Sequence, residues 1–207
     1  MKIYNDFLNP HYIYDSLSLE SKKIVPAIQV FSTVSSTNDI LLERNCFYPN
    51  GHTCFAERQT KSRGMKNKNW VTPKNGICFS VSWTINRNIK IAYSINQIIA
   101  IKITQSLSEN NFQNIRIKWP NDLLFNNKKI GGILVETKYN PNRGLYMVIG
   151  VGLNIRLSDE ERENIDQPST DLFEINEDEC DRNKIASIIL DSVISSFELF
   201  EKRKYDS

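Results

Sequence analysis

"KWPNDLLFNNKKIGGILVE", residues 118–136, is the stretch that organises the middle of the chain. It continues a run of strand character, Ile115 to Trp119, and then places Pro120, Asn121 and Asp122 where a buried strand tolerates them least. Proline takes a donor out of the ladder, and the Asn-Asp pair brings polar atoms that need partners. Two apolar runs follow, flanking Asn126-Asn127, residues that accept the positive φ of a tight hairpin turn. Lys128-Lys129 open the second run. The spacing predicts strands over 115–119, 122–126 and 129–137, with a lysine across the hairpin from an amide and a carboxylate. Asp122 and Asn121 are suited to a magnesium ion or a ribose, and Lys129 to a phosphate. Gly131-Gly132 either leave room for a ligand or serve only the close packing of a bulged, twisted hairpin, and the second reading is favoured for the glycines alone.

Outward from this segment, Ile28–Thr33 and Thr53–Ala56 read as strands. Between them Ser35-Ser36-Thr37-Asn38 supply cap residues for a helix carrying Ile40, Leu41 and Leu42. Residues 77–85, ICFSVSWTI, alternate as a strand, and Ala92–Glu109 places Ile95, Ile98, Ile99, Ile103 and Leu107 at helical spacing. A strand is predicted over 145–155, and DEERENI from Asp159 suits a short exposed helix. A last helix runs from about Arg182 to Lys204 on a stripe of Ile185, Ile188, Ile189, Phe197 and Phe200. Residues 1–26, punctuated by Pro10 and Pro26, read as an irregular N-terminal arm ahead of one main domain over 27–207. Strands in consecutive runs with hairpins and a few helices favour an α+β fold, a mixed sheet covered by helices, over a doubly wound parallel sheet.

The chain has 207 residues, enough for a sizeable core. With 26 basic against 24 acidic residues, its net charge of +2 argues against an extended nucleic-acid surface, so no DNA partner is expected. Four cysteines without CxxC spacing, and only two histidines, support neither a zinc site nor a disulfide framework. No apolar stretch approaches the ~20 residues of a membrane span, and no secretory signal pattern opens the chain, so a soluble cytoplasmic protein is expected.

The basic segment RQTKSRGMKNK, residues 58–68, holds five cations and no acid, and reads as a loop. Such a run is often a solvated face. Here Arg63-Gly64 sets a guanidinium beside backbone without a Cβ, so that main chain and cation can meet one anion. Trp70 at its exit is suited to cover a purine or an aliphatic ligand, and equally to anchor a core. GVGLN, 150–154, lacks the third glycine and the helix of a dinucleotide fingerprint.

Taken together, "SSTN" at 35–38, "AERQTKSRGMKNKNW" at 56–70, "KWPNDLLFNNKKIGGILVE" and "GVGLN" follow the order and spacing of the biotin–protein ligases, and the chain resembles that family from about residue 27 to 200. The resemblance implies a class II synthetase-like biotin/lipoate ligase catalytic domain. It implies a reaction in which biotin and ATP form biotinyl-5'-AMP, with Mg²⁺, before biotin passes to one lysine of the biotin carboxyl carrier protein of acetyl-CoA carboxylase. By the same resemblance Ser36, Thr37, Asn38, Gln59, Arg63 and Gly132 line the biotin site. Arg63, Lys66, Trp70, Asn121, Asp122, Lys129 and Asn154 serve ATP or the adenylate, Lys129 and Arg63 are catalytic, and Asp122 is the candidate magnesium ligand. A joined carboxylate and polyphosphate need cations around both before an in-line attack, which the basic loop and Lys129 supply.

Two departures stand out. The family loop commonly reads GRGRxGR, whereas Met65 stands here at one arginine. Longer relatives carry an N-terminal winged helix and a small C-terminal β domain, and the expectation here is a short form without them, as monomer or weak homodimer. The rival readings are a lipoate or octanoate–protein ligase or transferase, disfavoured by the lack of an RRxSGGG-like segment, and a catalytically weakened biotin-binding module.

Overall fold

The computed structural model describes residues 7–43, 46–65, 70–85 and 90–202, with backbone alone at 90–93 and 199–202. Seven strands form one sheet: β1 (Ile28–Val34), β2 (Thr53–Gln59), β3 (Asn75–Ile85), β4 (Arg116–Lys118), β5 (Asp122–Phe125), β6 (Lys128–Asn140) and β7 (Gly144–Arg156). Their order across the sheet is β1-β2-β3-β7-β6-β5-β4. Among the described residues only the β1–β2 strand pair is parallel and the other strand pairs are antiparallel, so the expected mixed α+β sheet is what forms.

The alternation of ICFSVSWTI sorts β3 onto two faces. Ile77, Phe79, Val81, Trp83 and Ile85 enter the main core, under the long helices α4 (Lys90–Glu109) and α6 (Arg182–Lys202). There Ile95, Ile99, Ile103 and Leu107 meet Ile185, Ile189, Val193 and Phe197, and Trp83 stacks on Phe197 with centroids 4.2 Å apart. The opposite face carries Cys78, Ser80 and Ser82. A short helix, α3 (Thr37–Leu42), covers part of it through a small cluster of Leu41, Cys54, Tyr146 and Val148. Burying one face under two long helices leaves the other, more polar face to line a site.

At the hairpin segment, Asn126 and Asn127 take φ of 48° and 61°, the paired left-handed residues of a two-residue turn. The register shifts between Leu123 and Leu124 as a bulge, and β4 stops at Lys118, one residue short of Trp119. Asn96 of α4 donates Nδ2 to the Pro120 carbonyl at 2.8 Å, fixing the turn between β4 and β5.

Two expectations are corrected. Residues 10–24 are not irregular: they form helices α1 (Pro10–Asp15) and α2 (Leu19–Ile24). Asn9 caps α1 by accepting from the His11 and Tyr12 amides, with Pro10 in the first turn, and Ser18 caps α2 by accepting from the Ser21 amide. Six-residue helices do not hold alone in water. These hold because Leu8, Ile13, Leu17 and Val25 are buried in the main core, and because Ser18 Oγ also donates to Asp191 of α6 at 2.9 Å. Ser18→Ala should therefore cost about 1 kcal/mol of stability, the usual worth of a cap, in urea unfolding. Second, Arg58 and Gln59 belong to β2 and not to the loop, since Thr33 and Val34 of β1 pair with them.

The acidic stretch forms α5 (Asp159–Glu163) with a complete Ser158/Glu161 capping box. All four cysteines are free. Among the described residues no helix is long and apolar enough to cross a membrane.

Candidate active site

Strand register decides which side chains meet on the polar face. Cys78, Gly152 and Gly132 lie in one row across β3, β7 and β6, and Ser80, Gly150 and Leu134 in the next. The glycines are there because other side chains lie flat on them. A Cβ at Gly150 would run into Asn38 Oδ1, and one at Gly152 would stand 2.7 Å from the Trp70 indole. Gly131 faces the backbone: its Cβ would be 2.7 Å from the Gly152 carbonyl. Gly132 instead faces a cleft, where the nearest atoms to a Cβ would be those of the Lys129 side chain and the Asn121 carbonyl, at 3.4–3.6 Å. The close-packing reading holds for Gly131 and the ligand-room reading fits Gly132.

That cleft encloses about 470 Å³ of space, part of it open to solvent. One end is polar and densely bonded. Gln59 Oε1 accepts from the Thr37 amide at 2.8 Å, and Ser80 Oγ sits 2.7 Å from Thr37 Oγ1 and 2.5 Å from Asn38 Oδ1. Asn38 Nδ2 donates to Glu136 at 2.7 Å. Ser36 holds the N-cap position of α3 yet makes no side-chain cap bond, and it lines the cleft. Arg63 closes the mouth, its guanidinium 2.7 Å from Asp39 and 2.9 Å from Glu136. Burial works against that charge, but the two carboxylates outweigh it and raise the Arg63 pKa.

At the other end stands Lys129. Its Nζ is 2.6 Å from Asp122 Oδ1 and 5.4 Å from the centre of the Trp70 ring, so the acid and base expected to act on separate partners are paired with each other. A second, larger cleft begins at this point, about 1820 Å³ of space with open solvent included. The two cavities share Gly64, Trp70, Asn121 and Lys129 in their walls. Lys129 is the one cation among these shared residues.

The thiols nearby are not suited to acyl transfer. Cys78 lines the cleft, but burial raises its pKa, and burial pushes Cys54 up to about 12. Among the described residues no group of three or more His, Cys, Asp or Glu side chains could hold a metal. Asp122 keeps one oxygen on Lys129.

The structure thus brings Ser36, Thr37, Asn38, Gln59, Arg63, Trp70, Asn121, Lys129 and Gly132 onto the first cleft, and Trp70, Asn121, Asp122, Lys129 and Asn154 onto the second. Asn154 is buried and spends Nδ2 on the Thr170 carbonyl at 3.0 Å, so at least that group braces the wall. Lys66 lies outside the described residues. Sequence reading missed Asp39, Glu136 and Ser80, and gave Gly150 and Gly152 little weight. For Glu136, Ser80, Gly150 and Gly152 the signal was positional, the one parity of their strands that faces this side, whereas Asp39 lies on α3 and carries no such strand signal.

A model of the biotin/lipoate A/B protein ligase family matches residues 30–154, well over half of the chain. The chain belongs to the biotin/lipoate A/B protein ligase family. The bifunctional ligase/repressor BirA of Escherichia coli is 29% identical over 177 residues, 85% of this chain and 55% of that protein. A biotin–[acetyl-CoA-carboxylase] ligase of Mycobacterium tuberculosis is 29% identical over 79% of this chain and 61% of its own length. The chain therefore spans little more than half of these curated relatives. Among solved structures, a mutant of the Aquifex aeolicus biotin protein ligase in complex with biotin superposes with a TM-score of 0.70 at 25% identity, covering 84% of this chain and 71% of that one. The Aquifex aeolicus enzyme in complex with biotin and ATP gives 0.68 at 25% identity, covering 84% and 72%.

Proposed function

We propose that this chain is an ATP-dependent biotin–protein ligase. The observation that carries the reading is the pair of cavities that share Lys129 in their walls, one with a polar end and Gly132 open at its side, the other with room for a nucleotide. In this reading the fused rings of biotin lie over Gly132, with the ureido group at Ser36, Thr37, Asn38 and Gln59. The carboxylate then points at Lys129. ATP occupies the larger cavity with its adenine against Trp70, its Mg²⁺ entering with the phosphates near Asn121 and Asp122, and Asn154 at the wall.

Lys129 has three donors, and its bond to Asp122 leaves two for the carboxylate and the α-phosphate. A carboxylate oxygen attacks the α-phosphorus, the bond between the α-phosphorus and the oxygen bridging to the β-phosphate breaks, and pyrophosphate leaves with that oxygen. In the second step an acceptor amine attacks the acyl carbon, the bond to AMP breaks, and the amine proton passes to solvent. The acceptor in this reading is a lysine of the biotin carboxyl carrier protein of acetyl-CoA carboxylase. Arg63 acts in this scheme as a latch over the biotin end, releasing Asp39 or Glu136 to reach an anion.

The test is pyrophosphate release from ATP on addition of biotin, with octanoate or lipoate as comparison acids. Release with biotin alone supports the reading. Release with octanoate or lipoate but not with biotin overturns it in favour of a lipoate-type ligase, and binding of biotin without release leaves only a binding module.

A further inference from the structure

Lys129 is held by its backbone as well as by Asp122. β7 pairs with β6 only from Gly131 onward, and at Lys129 its place is taken by Ser169 through an isolated parallel bridge. The Lys129 amide donates to the Pro168 carbonyl at 2.8 Å, and its carbonyl accepts from the Thr170 amide at 2.9 Å. This strap of residues 168–170 carries no large apolar side chain, so polar bonds must hold it in place.

Those bonds converge on α5. Asp171, 1% exposed, accepts from the Leu157 amide at 2.8 Å, the Glu174 amide at 3.0 Å and Arg162 Nη2 at 2.6 Å. Arg162 also meets Glu174 at 2.8 Å, and Glu174 takes the Thr170 hydroxyl at 2.6 Å. The neighbouring Glu161 accepts from the Lys74 amide at 2.6 Å, in the segment that leads on from Trp70. A single short helix thus fastens both walls of the larger cavity, one bearing Trp70 and the other bonded to Lys129. Neither Arg162 nor Asp171 lines either of the two cavities, so neither is placed to touch a reactant there.

We infer that Arg162 is a positioning residue: acting through Asp171 and the 168–170 strap, it sets the Lys129 backbone and with it the ammonium at the junction. The inference rests on the ligase reading for its kinetic consequence only. The local geometry of a charged group matters steeply for an in-line attack, where small displacements cost large factors in rate.

The experiment compares the full chain with Arg162→Ala, Arg162→Lys and Asp171→Asn, by amide hydrogen exchange and by single-turnover adenylate formation at saturating biotin and ATP. Arg162→Ala should speed exchange at the Lys129 and Thr170 amides while leaving Phe79 and Val151, in the sheet centre, as protected as before. Adenylate formation should slow roughly tenfold. Arg162→Lys should recover part of both, and Asp171→Asn, which removes the charge that holds Arg162 and leaves one acceptor oxygen where two now serve the Leu157 and Glu174 amides, should give the same pattern as Arg162→Ala. Unchanged protection at Lys129, or a loss spread equally over Phe79 and Val151, would overturn the inference. Exchange needs no substrate, so absence of pyrophosphate release by the unaltered protein would count against the ligase reading and not against the brace.

Discussion

Lys129→Ala or Lys129→Gln should slow biotinyl-adenylate formation by about a hundredfold or more, the scale for removing one preorganised charged donor from a developing anion. Lys129 lines both cavities, and its ammonium is 15% exposed and already oriented by Asp122 and by the strap at its backbone. An orienting acid and a fixed backbone mean that little reorganisation is left for the reaction itself. Lys129→Gln keeps much of the volume and loses the charge, so a loss shared by both variants identifies the charge as the cause. The fold should survive, since the side chain sits at a cavity wall and the apolar core lies on the other face of the sheet. The measurement is single-turnover adenylate formation beside a far-ultraviolet spectrum; an unaffected rate in a folded variant removes Lys129 from the chemistry.

The second large effect concerns Met65. It is 36% exposed and lines the larger cavity beside Gly64 and Trp70, where the family pattern has an arginine. A guanidinium there would add a charge-assisted hydrogen bond to the closed loop, worth about 1.5–3 kcal/mol, whereas methionine offers only apolar contact. Biotinyl-adenylate is a mixed anhydride that acylates whatever lysine it meets after escape. The unaltered protein should therefore biotinylate bystander albumin, and Met65→Arg should suppress that labelling at matched adenylation rates. Equal labelling by the two proteins would show that neighbouring cations already retain the intermediate.

The thiol chemistry of the site bears on the same mechanism. Burial raises the pKa of Cys78, the thiol that lines the cleft, and so works against its thiolate form there.

Much of the fold and part of the site are legible in the amino-acid sequence. The hairpin at Asn126-Asn127, the alternation of β3 and the stripes of α4 and α6 are local patterns, set by backbone sterics and by the periods of helix and strand. Lys129 and Asp122 can be placed near each other from sequence because a two-residue turn ties their register. Cap signals at Asn9-Pro10 and Ser18 are also present, but helices of six residues depend on burial that only docking onto α6 supplies.

What tertiary structure alone decided is who partners whom at long range. Arg63 meets Glu136 across 73 residues of chain, and Asn38 meets the same carboxylate across 98. The sequence showed a cation and an amide ready for a ligand; the fold shows both engaged with acids that no motif singled out. Trp70 likewise lies over Gly152 because β7 runs beside β6 at one register, and the 168–170 strap reaches Lys129 because β7 leaves that slot open. Local propensity determines each strand and its two faces. Which faces and edges then meet depends on strand order, and strand order follows from burying every apolar face at once, a condition on the whole chain that no short segment contains.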